Sequence, residues 1–283
     1  SGVTTIGDWA FSNCGGLTSV VIPDSITSIG NDAFYNCSKL TSVVWNAENC
    51  IREGSNDDWQ IFSNCSKLTT ITIGDNVKTI PAYAFSGCSG LTSVVIPDNV
   101  TSIEEGAFYT CSGLTSVTIG NSVTSIGYRA FQNCSGLTSI VIPGSVTTIG
   151  EDAFYNCIGL TSVTIGNSVT TIENETFRSC SSLISVTIGN SVKRIDNYAF
   201  EGCTELKSVT IPDSVTSIGY SAFDNCSNLK EVFYKGTASE WKNIDIDSRN
   251  SYLYNAKRYY YSESQPTESG NYWHYVDDKI VVW

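Results

Sequence analysis

The stretch VTSIGYRAFQNCSGLTSIVIPGS, residues 123–145, decides the fold, because variants of it follow one another from the start of the chain to about residue 234. Its cysteine, Cys134, has counterparts at Cys14, Cys37, Cys65, Cys88, Cys111, Cys157, Cys180, Cys203 and Cys226. Successive members stand 23 residues apart, except that Cys37 and Cys65 stand 28 apart. A fixed period of this length signals a solenoid, in which one small unit per repeat stacks on the next. No single unit buries its own apolar face, so stability comes from coil-on-coil packing and the ends need lids.

Within one repeat the apolar spacing changes once. Ile6, Ala10, Phe11, Cys14 and Leu17 recur at steps of 4, 1, 3 and 3, which predicts a two-turn helix. Val20 and Ile22 follow at a step of two, which predicts a strand. The equivalent strands are expected over 17–22, 40–45, 68–73, 91–96, 114–119, 137–142, 160–165, 183–188, 206–211 and 229–234. Gly7 and its equivalents open the helix, and Pro23, Gly74 and theirs turn the chain away after the strand. The expectation is an α/β repeat: a right-handed solenoid with a parallel sheet on its concave face and short helices on its convex face. From Lys230 the phrase breaks up. Ser239-Glu240-Trp241 reads as a helix start, AKRYYY (residues 256–261) as a strand, and YWHYVDDKIVVW (residues 272–283) as a hairpin turning at Asp277-Asp278. The crowded aromatics there, Trp241, Tyr259, Tyr260, Tyr261, Trp273 and Trp283, are expected to plug the last coil, or else to form a platform on which a ligand stacks.

The I-G-x-x-A-F-x-x-C and L-T-S-V-x-I-P segments resemble the BspA-like, Treponema-type leucine-rich repeats of bacterial surface proteins, over residues 3–234. The segments G-T-x-x-E-W and G-N-Y-W-H-Y-V are similar to the tail that follows such arrays. The resemblance implies a leucine-rich repeat horseshoe, secreted or attached to a cell wall. It also implies, for some members, adhesion to host matrix proteins, host cells or other bacteria. No ligand-contacting residue carries over, because the family has no shared binding motif to place here. The division expected is an array of about ten units over 1–234 and a small, β-rich capping segment over 235–283. The departure from the pattern is an insertion near 46–59. Ser1 falls in mid-repeat, so a longer parent chain, or an upstream domain over this end, is expected.

Composition narrows the partners. The formal net charge is −12, which disfavours nucleic acid and anionic membrane surfaces, since both need a basic stripe. No run of 18 apolar residues is present, so no membrane-spanning helix is expected. The ten periodic cysteines occupy one position per coil and are expected as a ladder of buried free thiols, because parallel side chains seldom reach disulfide torsion. Cys50, in the insertion, stands outside that ladder, and its position there leaves both burial and exposure open. His274 is the sole histidine, and neither CxxC, HExxH nor GxSxG occurs. No cofactor and no enzymatic activity is expected. Asp24, Asp75, Asp98 and Asp213 recur after the strands, but Asn and Gly interrupt the row, so turn formation explains them better than calcium does.

Three surfaces remain for binding. The concave sheet face is expected to present Ser93, Val95, Ser116, Thr118, Ser139, Val141, Ser162 and Thr164, a carpet without charge. The convex side carries Tyr83, Tyr128, Arg129, Tyr155, Arg178 and Tyr198 among acids, either as a contact surface or packed sideways on neighbouring coils. The insertion offers Arg52, Asp57, Asp58 and Trp59, since loops on rigid scaffolds often carry function, although Trp59 also suits a core slot. The expected role is an extracellular module binding a protein or glycan ligand. The alternative is a structural spacer in a larger surface protein, with no ligand of its own.

Overall fold

The structure is a computed structural model and describes residues 2–48, 50–52, 60–277 and 279–283. Two parallel ladders run through it. The longer rungs are Ser19–Ile22, Ser42–Trp45, Thr70–Ile73, Ser93–Ile96, Ser116–Ile119, Ser139–Ile142, Ser162–Ile165, Ser185–Thr187, Ser208–Ile211, Glu231–Tyr234 and Lys257–Tyr261. Between them lie eleven two-residue rungs, from Thr5–Ile6 to Asp245–Ile246. Serine pairs with serine and isoleucine with isoleucine, as in Ser162↔Ser185 and Ile126↔Ile149. The longer rungs are hydrogen-bonded in groups of three, two and eight strands, the last group including two strands of the C-terminal hairpin. Each long rung is the last part of a strand read from the sequence, because the L-x-x-V-x-I spacing already encodes which side chains face inward.

The convex side differs from the sequence reading. Among the described residues no coil before the last carries a helix there; the segment between short and long rungs is a run of turns, and only between Asp245–Ile246 and Lys257–Tyr261 does a short helix, Ser251–Asn255, take its place. The N–H groups of Gly106, Phe108 and Thr110 donate to the carbonyls of Tyr128, Ala130 and Gln132 in the next coil, each at 2.8 Å. The alternate N–H groups of Ala107, Tyr109 and Cys111 donate within the coil to Glu104, Gly106 and Phe108, at 3.3, 2.9 and 3.2 Å. A helix would send every one of these donors four residues back. Two residues per coil also adopt the left-handed region, such as Arg129 at φ 55° and Asn133 at φ 61°, which no right-handed helix tolerates. Tandem turns bring side chains inward every three or four residues, and so imitate a helical stripe. The contrary signal lies in the residue before eight of the ten periodic cysteines: Asn13, Asn36, Asn64, Gly87, Asn133, Asn156, Gly202 and Asn225 are types that accept positive φ, while Thr110 and Ser179 adopt it without being such types. The short rung has no separate signal in the spacing, since its Ile falls on the same stripe as the turn residues that follow it.

The core is a set of stacked columns. Ten phenylalanines, from Phe11 to Phe223, form one column with successive ring centroids 5.0–6.0 Å apart. Burying each such ring contributes about 2–3 kcal/mol. The column is widest, at 6.0 Å, between Phe62 and Phe85, and there Trp45 meets Phe85 edge-on at 5.4 Å. Phe11, at the first coil, is 43% exposed, whereas Phe34 is fully buried. All eleven cysteines are free. The periodic thiols hydrogen-bond to the phenylalanine carbonyl of the preceding coil, as Cys134 Sγ does to Phe108 O at 3.2 Å.

The far end is closed by a different chain path. Thr237 caps the helix Ala238–Trp241 in a capping box with Glu240, and these bonds hold the Glu240 carboxyl below its usual range. Trp241 covers the main core edge-on to Tyr234 at 5.2 Å, and the Arg258 guanidinium lies over its ring, 4.3 Å from the centroid. A second helix, Ser251–Asn255, buries Leu253. The strand Tyr272–Val276 joins the long sheet parallel to Lys257–Tyr261 and pairs antiparallel with Lys279–Val282, as the hairpin reading expects.

Candidate binding surface

Strand alternation sends Val94, Ile96, Ile140 and Ile142 inward and leaves the side chains between them outward. Ser93, Val95, Ser116, Thr118, Ser139, Val141, Ser162 and Thr164 are all exposed on that outer face. Register aligns them in rows, with Ser93↔Ser116, Val95↔Thr118, Ser139↔Ser162 and Val141↔Thr164. Val95 and Val141 are 62% and 63% exposed, a high value for valine on a regular strand. A third row is fastened to the scaffold. Thr115, Thr138 and Thr161 each donate their hydroxyl to the carbonyl one coil back, at 2.9, 3.3 and 2.9 Å. The face is therefore uncharged and stepped at the inter-strand spacing, with the strand pairing interrupted between Ser116–Ile119 and Ser139–Ile142 and the Thr138 hydroxyl bridging that step.

Toward the C-terminus the valine/threonine row turns aromatic. Thr210 pairs with Phe233 and Phe233 with Tyr259. Phe233 and Tyr259 stack at 5.1 Å, and Trp273 meets Phe233 edge-on at 5.7 Å. These three form a small buried cluster apart from the main core. The tail aromatics thus do two jobs rather than one: Trp241 plugs the coil, while Tyr259 and Trp273 roof the outer face.

The tyrosines and arginines of the turn face are tied to their neighbours. The Tyr83 hydroxyl meets Glu105 Oε1 at 2.9 Å. Arg178 lies between Tyr155 and Tyr198, 6.0 and 5.1 Å from their ring centres, and pairs with Glu175 at 2.9 Å and Glu201 at 2.6 Å. Arg129 sits over Tyr128 and pairs with Asp152 at 3.4 Å.

Of the insertion residues, Arg52 lies on the short rung Ile51–Arg52, while Asp57, Asp58 and Trp59 lie outside the described residues. Cys50 is buried, not exposed: the chain around it continues the solenoid wall, and burial pushes its thiol up to about 12. The recurrent Asp and Asn after the strands act as turn anchors. Asp98 Oδ1 accepts the Asn121 N–H at 2.7 Å, and Asn167 Oδ1 accepts that of Asn190 at 2.9 Å. Among the described residues no group of three His, Cys, Asp or Glu side chains is placed to hold a metal, and no helix is long and apolar enough to cross a membrane.

Among solved structures, the chain is similar to a leucine-rich cell surface protein from Faecalibacterium prausnitzii A2-165, with 28% identity, 87% of this chain and 86% of that chain covered, and a TM-score of 0.41. It is similar to a leucine-rich repeat protein from Bacteroides ovatus with 25% identity, coverage of 91% and 87%, and a TM-score of 0.44. A leucine-rich repeat protein of T. pallidum shows 23% identity, coverage of 80% and 82%, and a TM-score of 0.48. No curated protein matches the chain. The BspA type leucine-rich repeat region, in six copies, matches residues 1–102, 58–184 and 125–247. With most of its length so matched, and with the repeat geometry described above, the chain belongs to the BspA type leucine-rich repeat family.

Proposed function

We propose that this chain is an extracellular binding module that adheres to a protein or glycan ligand on a host or bacterial surface, through the outer face of its long sheet. The observation that supports this reading is the exposed rows from Ser93 to Thr164, in which valine stays open to water on a regular stack of strands. Such a face lies flat against an extended ligand and supplies hydroxyls at a regular spacing.

The spacer reading rests on a different observation. Between residues 93 and 164 the outward strand positions hold no Trp, Tyr or Arg, the types that dominate binding hot spots. The experiment presents labelled protein to arrayed matrix proteins and glycans, alongside a variant carrying Ser93→Arg, Ser116→Arg and Ser139→Arg. Saturable binding lost in the variant supports adhesion through the sheet. Binding that survives moves the site elsewhere on the molecule, and no binding at micromolar protein favours the spacer.

A further inference from the structure

Where the outer face turns aromatic, the structure forms a recess of about 240 Å³ lined by Asn190, Asp213, Lys235, Tyr261 and Tyr275. The sequence spreads these five over 86 positions, and the solenoid brings them together. Asn190 and Asp213 sit on successive turns after long rungs, Lys235 follows Glu231–Tyr234, Tyr261 ends Lys257–Tyr261, and Tyr275 lies on Tyr272–Val276.

The two tyrosine rings form the walls, with centroids 6.3 Å apart and planes tilted by 48°. Both rest on one buried residue. Trp273 meets Tyr261 at 5.2 Å and Tyr275 at 4.9 Å, and its indole N–H donates to Tyr234 O at 2.9 Å. The rings are thus held in place, yet they remain 36% and 41% exposed. Rigid aromatics on a packed support are what a binding site needs and what plain surface rarely has. The polar side is equally arranged. Lys235 Nζ donates to Asn190 Oδ1 at 2.7 Å and lies 5.7 Å from the Tyr275 ring centre. Partial burial lowers the Lys235 pKa, with the Asp213 charge acting against that shift.

We propose that this recess binds one ring of a neutral saccharide. A sugar ring has an apolar C–H face that stacks on tyrosine and a rim of hydroxyls that both donate and accept. The rim would meet an acceptor in Asp213, donors in Lys235 and both in the Asn190 amide. A cationic ligand would meet Lys235 already placed over Tyr275, and an anionic one would meet Asp213. The volume is below the ~300 Å³ at which pockets for drug-sized ligands begin, and suits a single ring rather than a peptide segment. This site goes beyond the adhesion reading: it shares no residue with the Ser93–Thr164 rows, and it stands or falls without them.

The test is saturation-transfer NMR on the whole chain with a panel of neutral methyl glycosides of hexoses and N-acetylhexosamines, with choline and sialic acid as charged comparators. At least one neutral glycoside is expected to bind, with transfer strongest at its ring C–H protons. Tyr261→Ala and Tyr275→Ala are each expected to weaken it by about tenfold or more, and Tyr275→Phe to retain most of it. The Arg-substituted sheet variant is expected to bind the glycoside unchanged. Asp213→Asn, an exposed change that leaves the Trp273 support intact, is expected to weaken binding even if the alanine variants melt early. The proposal is overturned if no neutral glycoside binds at about 20 mM, a concentration that fills even a weak single-ring site. It is equally overturned if binding survives in both tyrosine-to-alanine variants, or if choline or sialic acid binds more tightly than every neutral glycoside.

Discussion

The Phe223 N–H donates to the side-chain Oδ1 of Asn250 at 2.9 Å, where in each coil from Phe85 to Phe200 the equivalent N–H finds a backbone carbonyl of the next coil. Phe200 N–H, one coil before, donates to Ala222 O at 2.8 Å. Asn250 therefore stands in for the turn-face carbonyl that the last coil, which turns into the helix Ser251–Asn255 there, does not supply. Its own Nδ2 donates to Gly219 O and Asp247 O, both at 2.9 Å, and the residue is 1% exposed. The array ends by replacing a main-chain acceptor with a side-chain one.

Removing that acceptor leaves buried groups unpaired. Asn250→Ala is expected to destabilise the chain by about 2–4 kcal/mol, since each buried unsatisfied group costs about 1–3 kcal/mol. Loosening is expected to start at the last coil. Amide hydrogen exchange at Phe223 should quicken far more than at Phe131, and equal protection at both in the variant would remove Asn250 from the capping role.

The phenylalanine column makes a graded prediction. Phe131→Ala, between two stacked rings at 5.3 Å on either side, is expected to cost about 3–5 kcal/mol. Phe11→Ala, at a ring already 43% exposed and stacked on one side only, should cost less than half as much. Urea unfolding of the two variants checks the order.

The thiol ladder predicts a pH dependence with a definite sign. Burial pushes Cys65, Cys111 and Cys180 from an ordinary 9.0 up to about 12. In the unfolded chain they ionise near 9, so the unfolded state gives up these protons first. Their contribution to stability is whole below about pH 9 and is lost as pH rises toward about 12. Urea midpoints should fall steeply above pH 9, and Cys111→Ala with Cys180→Ala should flatten that fall. A variant with the same slope as the parent would show that other groups set it.

Reactivity follows from the same burial. Cys14 is the one cysteine with partial exposure, so a thiol reagent at pH 8 should modify it first and leave the other ten until the chain unfolds. Cys50 behaves here as a core residue, and its early labelling would contradict its place in the wall.

At Asn133, φ is 61° and the side-chain Oδ1 accepts from Asn156 Nδ2 at 2.8 Å. Asn133→Val is expected to cost about 1–2 kcal/mol from the left-handed backbone, and Asn133→Gly distinctly less. Thermal melting of both separates the backbone effect from the lost side-chain bond.

By itself, the sequence determined the solenoid and the residues that face inward, but read about ten coils where the described residues form eleven, because the last coil, with its rungs Asp245–Ile246 and Lys257–Tyr261, does not keep the repeated phrase. Period and alternation are one-dimensional properties, and Leu137, Ile140 and Ile142 declare their burial by spacing alone. The outward identity of Ser93 through Thr164 follows from the same alternation. Tertiary structure decided what spacing leaves ambiguous. Whether Phe108 donates four residues back or to Ala130 in the next coil depends on a partner 22 positions away, and only the stacked geometry chooses turns over helix. Asn250 is an ordinary polar residue until the end of the stack gives it an orphaned N–H to satisfy. The convergence of Asn190, Asp213, Lys235, Tyr261 and Tyr275 likewise has no local signature, because it is made by stacking five chain segments and by one buried tryptophan beneath them.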